Sequence, residues 1–141
     1  MNTSTLTVLL QIAAILHIGL LCAGASMPKV VNLRGHITTL PPFLRQLFLV
    51  YFSFIALMLV GFGSLTFLFA HAMAAGEPTA RALCIMMTVF WSVRLFVAAF
   101  VFDVRPYLTN WFYRVGHMAT NLVFVFLVAI YALAAWKGGN L

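Results

Sequence analysis

The sequence is poor in charge, above all in acidic side chains. Its 141 residues include two Asp or Glu and eight Lys or Arg, together 7% of the chain, whereas a soluble domain carries about a quarter charged residues. So few charges cannot cover the surface of a water-soluble monomer. With 65% hydrophobic residues and a mean hydropathy of +1.09, the chain is not of the disordered class either. An integral membrane protein is the class that remains.

Other chemical signatures are missing as well. With two cysteines, Cys22 and Cys84, the chain is not a disulfide scaffold, and the two form no Cys-x-x-Cys pair. The net charge of +6 comes from scattered basic residues, so a clustered nucleic-acid-binding surface is excluded. The apolar runs hold no Asp or Glu, and the chain has no Gly-rich phosphate loop and no nucleophile motif. These absences argue against a self-sufficient transporter and against a hydrolase.

Four long apolar runs are what the sequence does contain. A helical span needs about 20 mostly apolar residues, and the runs cover residues 5–25, 46–71, 80–102 and 111–136. They show no period-two alternation, so they are predicted to be helices. The predicted fold class is an all-α membrane protein. A single domain, 1–141, is expected to form an up-down bundle of four transmembrane helices.

Turn-forming residues separate these runs. Residues 26–28 (Ser-Met-Pro) are expected to end the first helix, and Pro41–Pro42 to precede the second. Gly76 is expected to end the second helix and Thr79 to cap the third. Asn110 is a candidate cap for the fourth helix.

Basic residues in the short loops predict how the bundle is oriented. Five lie in or beside the predicted loops 26–45 and 103–110: Lys29, Arg34, Arg45, Arg105 and Arg114. The opposite side has Arg81 and Lys137. Because Lys and Arg are enriched in cytoplasmic loops, both loops are assigned to the cytoplasm and both termini to the outer side of a bacterial inner membrane. The five basic residues are expected to contact lipid head groups.

Ionisable residues inside the spans are candidates for a functional site, because hydrocarbon makes them costly. Counting about 1.5 Å per residue from the predicted span ends places His17, Arg94 and His117 at a similar depth, roughly 10 to 13 Å inside the cytoplasmic end. Polar side chains on the second and fourth spans lie near that level. We therefore predict one ligand-binding polar layer made of six residues: His17, Tyr51, Ser53, Arg94, His117 and Asn121.

The ligand of this layer is left open by the sequence. His17 and His117 lie on separate helices and would suit the two axial positions of a haem b, with Arg94 holding a propionate. A quinone or an isoprenoid is the other candidate. Each histidine can instead hydrogen-bond a neighbouring helix, and Arg94 can reach towards lipid phosphate. No metal site is expected, because no His pair occurs at helical spacing with an acid nearby.

The missing chemistry favours a non-catalytic protein over an enzyme. The leading expectation is a small subunit, assembly factor or anchoring partner of a larger membrane complex, or a homo-oligomer. Small residues such as Gly61, Gly63 and Ser64 would allow close helix contacts. The alternative is a redox or lipid-soluble-substrate protein that binds haem b, quinone or isoprenoid in the polar layer. The expected partners are membrane lipids and other membrane-protein subunits, with no nucleic acid.

Overall fold

Most of the chain that the structure describes is helical. A computed structural model describes the backbone of residues 2–30, 33–101 and 111–137, and their side chains except those of 27–30, 33, 34, 36, 112 and 113. The helices are α1 (Thr3–Val30), α2 (Leu33–Thr38), α3 (Pro42–Ala75), α4 (Pro78–Phe96) and α5 (Trp111–Lys137), and a π-helical segment, Val97–Val101, continues α4. Four of these helical stretches, α1, α3, α4 with its π-helical segment and α5, are long and apolar enough to cross a membrane. The prediction of an all-helical chain with four such helices is confirmed.

Two of the predicted helix ends differ from the structure. α1 continues to Val30, so residues 26–28 do not end it. The Ser26 hydroxyl donates to the Ala23 carbonyl, 2.7 Å away, and is thereby satisfied within the helix. α4 begins at Pro78 with Glu77 in the N-cap position, so the prediction that Thr79 caps this helix is wrong. A proline suits the first helical position because it has no N–H to satisfy there.

Gly76 ends α3 as the sequence predicts, whereas Pro42 is the first residue of the helix and does not precede it. The helix runs from Pro42 to Ala75, and its C-cap is Gly76, whose φ of 79° is left-handed. The Gly76 N–H donates to the carbonyls of Ala72 and Met73, which closes the last turn. A glycine adopts this conformation without the steric cost that a Cβ would add. Asn110 lies outside the described residues.

The helices pack as two antiparallel pairs. α1 lies along α3 and α4 lies along α5, while α1 and α5 join the two pairs. The Lys137 Nζ donates to Thr3 Oγ1 over 3.2 Å, and the Arg81 Nε donates to the Ala135 carbonyl over 3.1 Å. The start of α1, the end of α5 and the α3–α4 turn therefore lie at one end of the bundle, the terminal end. The starts of α3 and α5 lie at the opposite end, the loop end.

Buried side chains occupy only the half of the bundle nearest the terminal end. Those nearest the loop end are Leu20, Phe62, Trp91 and Phe124, one on each long helix. Between these four residues and the loop end, no side chain that the structure describes is buried. The helix pairs thus enclose a core over one half, the packed half, and none over the other, the loop half.

Candidate functional site

His17 lies in the core of the packed half. Its side chain is fully buried, and its Nδ1 is 2.7 Å from the Ala13 carbonyl, one turn earlier in α1. A carbonyl can only accept, so Nδ1 carries the proton and Nε2 is left as an acceptor. The imidazole meets the Trp91 ring edge-on at a centroid distance of 5.2 Å and the Tyr131 ring at 6.3 Å. Side chains of α4 and α5 therefore enclose the one polar ring that α1 places in the core.

Gly63 brings α3 against the same side chain. A Cβ added at Gly63 would lie 3.1 Å from the His17 Cβ and 3.3 Å from the Ala14 carbonyl oxygen. Two residues earlier, a Cβ added at Gly61 would meet nothing within 4 Å. Of these two glycines, Gly63 is the one at which α1 and α3 approach so closely that a side chain would not fit.

The core around His17 contains both satisfied and unsatisfied polar atoms. The Tyr131 hydroxyl and the Thr66 hydroxyl are 2.6 Å apart and join α5 to α3. Among the described residues, His17 Nε2 and Trp91 Nε1 are buried without a hydrogen-bond partner. One of these atoms accepts and the other donates, so their chemistry is complementary. Sequence inspection singled out His17 but missed Thr66, Trp91 and Tyr131, because their side chains are ordinary members of apolar helices.

Arg94 lies on α4 at the boundary between the packed half and the loop half. Its Cζ is 5.6 Å from the centroid of the Phe124 ring on α5, within the range of a cation–π contact. Phe124 in turn stacks on Trp91 at 5.4 Å. The π-helical segment Val97–Val101 begins just after Arg94, and such segments occur often at functional sites. The guanidinium therefore faces α5 at the point where the enclosed core ends.

His117 and Asn121 form a pair on α5 in the loop half. The Asn121 Nδ2 donates to His117 Nε2 over 3.0 Å. Arg114, His117, Asn121 and Phe124 follow one another at steps of three, four and three residues, so they lie on one face of α5. Because Phe124 contacts Trp91 and Arg94, this face is directed towards α4.

The described contacts place His17 apart from His117. His17 touches Tyr131, which lies fourteen residues after His117 (117 to 131), or about 21 Å along α5. Helical side chains lean towards their own N-terminus. Because α1 and α5 are antiparallel, His17 leans towards the terminal end and His117 towards the loop end. A haem held by both histidines does not fit this arrangement, since the His17 ring packs against Trp91 and Tyr131.

The other predicted residues are spread along the loop half. Tyr51 is exposed, and the exposed Ser53 donates to the Leu49 carbonyl of its own helix. Arg45 and Arg114 are exposed on α3 and α5. The side chains of Lys29 and Arg34 and the whole of Arg105 lie outside the described residues. That the six residues share one ligand site, and that the basic residues contact lipid, stay predictions.

These features define a class of protein: a small, all-helical chain whose four long helices are apolar enough to cross a membrane. The described residues contain no group of three or more His, Cys, Asp or Glu that could hold a metal ion. No family model, no curated protein and no solved structure matches the chain.

Proposed function

We propose that this protein is a non-catalytic subunit of a larger membrane assembly and that the loop half of α3 contacts another membrane-protein subunit. We call this segment, Pro42–Val60, the α3 arm. It contains no buried residue, although it is more than half of a helix of 34 residues. This one observation carries the proposal, because the rest of α3 packs into the core through Phe62, Thr66 and Met73.

α3 is too long for lipid alone to cover the apolar surface of the α3 arm. At about 1.5 Å per residue, its 34 residues span about 51 Å, whereas the hydrocarbon core is about 30 Å thick. At a tilt of about 40°, the upper end for membrane helices, α3 still projects to about 39 Å. The ends of α3 therefore reach beyond the hydrocarbon, where contact with another protein would keep Phe43 and Leu44 from water.

The side chains of the arm suit a protein contact. Arg45 is its one charged residue. Large apolar and aromatic side chains are exposed on every face of the helix: Phe43, Leu44, Leu47, Phe48, Leu49, Val50, Tyr51, Phe52, Phe54, Ile55, Leu57, Met58 and Val60. Aromatic residues are enriched in the buried centres of protein interfaces. The partner that this surface fits is an apolar helix of another membrane protein.

The alternative function, a redox or lipid-soluble-substrate protein with a polar layer around His17, has less support. The ring of His17 is enclosed by aromatic side chains, and its neighbours on α4 and α5 belong to the packed core. Arg94, His117 and Asn121 lie at and beyond the end of that core.

Photo-cross-linking from one helix tests the proposed subunit contact. A photoreactive phenylalanine analogue replaces Phe54, 60% exposed in the arm, or Phe67, 55% exposed in the packed half of the same helix. We expect discrete protein adducts from position 54 in intact membranes and none from position 67. Co-purification in mild detergent should retain the same partner and lose it when Phe54 and Leu57 are both replaced by alanine.

Three outcomes would contradict this proposal. Equal adducts from positions 54 and 67 would mean that the cross-linking reports crowding in the membrane. Lipid adducts alone, with a monomeric particle in mild detergent, would leave the arm as a lipid-covered surface. An adduct of twice the protein's own mass would assign the arm to a second copy instead of a different subunit.

A further inference from the structure

Two polar ring atoms in the packed half have no hydrogen bond. His17 Nε2 and Trp91 Nε1 are both buried without a partner among the described residues. His17 is fully buried and Trp91 is 2% exposed, so bulk solvent satisfies neither atom. A buried polar group without a partner costs free energy, and such groups are rare in folded proteins. The pair therefore marks a place where the core can bind a further polar group.

The two atoms have opposite hydrogen-bonding roles. The Ala13 carbonyl accepts the Nδ1 proton of His17, which leaves Nε2 as an acceptor. The indole Nε1–H of Trp91 can only donate. A metal ion could take the lone pair of Nε2, but it has no lone pair for the indole proton. An oxygen atom that carries a hydrogen satisfies both atoms, because it donates to one and accepts from the other.

The separation of the two rings is on the scale of a bridge through one oxygen atom. The ring centroids of His17 and Trp91 are 5.2 Å apart with an interplanar angle of 78°, and the two nitrogens do not bond each other directly. Two hydrogen bonds of about 2.9 Å that meet at one oxygen span about 5 Å. A water molecule is the usual bridge between neighbouring polar groups that do not bond directly.

The surroundings of the two rings restrict the bridging group to a small one. Tyr131 contacts the imidazole from α5, and Phe124 stacks on the indole of Trp91. On α3, Gly63 lies so close that an added Cβ would be 3.1 Å from the His17 Cβ. A haem or a quinone would have to displace these side chains. Water combines the required donor and acceptor in one small molecule.

We propose that His17 and Trp91 bind one buried water molecule, which links α1 to α4. The water donates to His17 Nε2 and accepts from Trp91 Nε1–H, and two such bonds lie within the roughly two to four that a buried water makes. α1 packs mainly on α3, and α4 packs mainly on α5, so the water joins the two helix pairs. Water enters from the loop half, because Trp91 is one of the residues at which the enclosed core ends. This inference is independent of the proposed contact at the α3 arm.

Nuclear magnetic resonance of the full chain, in a detergent without hydroxyl groups, tests this site. The three tryptophans give three indole N–H signals, and the side chains of Trp111 and Trp136 are exposed. At the Trp91 indole proton we expect a cross-peak to long-lived water, with the rotating-frame sign that separates dipolar contact from proton exchange. The nitrogen chemical shift of His17 Nε2 should be that of a hydrogen-bonded acceptor. His17→Phe should abolish the Trp91 cross-peak, because the water then loses one of its two bonds.

His117→Phe is the matched control. It makes the same substitution seven residues before Phe124, the α5 contact of Trp91 (117 to 124), or about 10 Å along that helix. The Trp91 cross-peak should be unchanged in this variant. If His17→Phe fails to fold, the unmodified chain still decides, since it must show both the water cross-peak at Trp91 and the bonded shift at His17 Nε2.

Four outcomes would overturn the proposal. The first is the absence of a water cross-peak at Trp91 in the unmodified chain. The second is an unchanged cross-peak in His17→Phe, and the third is an equal loss in His17→Phe and His117→Phe. The fourth is a nitrogen–nitrogen coupling between Trp91 and His17, because the two rings would then bond each other directly.

Discussion

His17 and His117 have the same side chain and different surroundings. Each satisfies one ring nitrogen within its own helix, His17 with the Ala13 carbonyl and His117 with Asn121. The surroundings of each ring then depend on the neighbouring helices. His17 is enclosed by aromatic rings in the packed half, whereas His117 is half-buried in the loop half. At the scale of residues, the depth of the core along each helix therefore determines which polar group is available to a ligand.

Gly63 provides a residue-scale test of the contact between α1 and α3. In Gly63→Ala, the new Cβ meets the His17 Cβ and the Ala14 carbonyl oxygen, atoms that no side-chain rotation can move away. Overpacking of this kind costs about 1 to 3 kcal/mol. We expect a lower midpoint of thermal unfolding in detergent.

Gly61→Ala is the matched control, since its Cβ meets no atom within 4 Å. Replacing a glycine by alanine within a helix is favourable by about 1 kcal/mol, so this variant should be neutral or more stable. If both variants shift the midpoint alike, the close approach of α1 and α3 at Gly63 is not real.

At the scale of elements, α3 has two different halves. From Phe62 to Ala74 it contributes buried side chains to the core, and before Phe62 it contributes none. Its covalent link to α4 is short, since Gly76 and Glu77 alone separate the helices. Even so, α3 packs mainly on α1, and its hydrogen bond to α5 runs from Thr66 to Tyr131. Short connections therefore set the order of the helices, while side-chain packing sets the pairs.

The Thr66–Tyr131 hydrogen bond can be measured with a double-mutant cycle. The variants are Thr66→Val, Tyr131→Phe and the combination of the two, and the free energy of unfolding is measured for each in detergent. Interhelical hydrogen bonds in membrane proteins contribute about 0.6 kcal/mol on average and up to about 1.7. We expect a coupling energy in this range, because the 2.6 Å contact is buried.

A control cycle pairs Tyr131→Phe with Thr120→Val, whose hydroxyl bonds to the Gly116 carbonyl of its own helix. That pair should show additive effects. Additive effects for Thr66 and Tyr131 as well would mean that the two hydroxyls do not stabilise the α3–α5 contact.

At the scale of the whole molecule, the two ends of the bundle differ. The terminal end is tied together by the Lys137–Thr3 and Arg81–Ala135 hydrogen bonds and leads into the packed half. The loop half presents exposed helix faces, the α3 arm among them. A bundle that is packed at one end and open at the other can hold its own fold while it offers surface to a partner.

Thiol labelling in intact cells tests how these ends lie in the membrane. In a chain with Cys22 and Cys84 replaced by alanine, single cysteines are placed at the exposed residues Ser4, Glu77 and Thr38. The distribution of Lys and Arg predicts that a membrane-impermeant reagent labels positions 4 and 77 from outside and not position 38.

Permeabilised cells are the control, because all three positions should then be labelled. Labelling of position 38 alone in intact cells would reverse the predicted orientation. Labelling that differs between positions 4 and 77 would contradict the placement of both residues at the terminal end.

The sequence by itself determined the number and kind of the long helices. Four apolar runs in a chain with ten charged residues leave helices as the structures that satisfy their own backbone. Local rules also located the end of α3 at Gly76 and placed its start just after Pro42, one residue later than in the structure, because proline and glycine act within one or two residues. The cap of α4 was misassigned to Thr79, since the proline before it determines where that helix begins.

The tertiary structure alone decided how deep the core reaches and which side chains it encloses. Depth counted from predicted span ends placed His17 beside His117, whereas the contacts of His17 are with Trp91 and Tyr131. Depth along the chain predicts neighbours only where the helix ends are level with one another and each side chain lies at the depth of its own backbone. In the bundle α1 extends to Val30, and antiparallel helices tilt their side chains in opposite directions. Packing between helices is a property of pairs of surfaces, so no single helix sequence contains it.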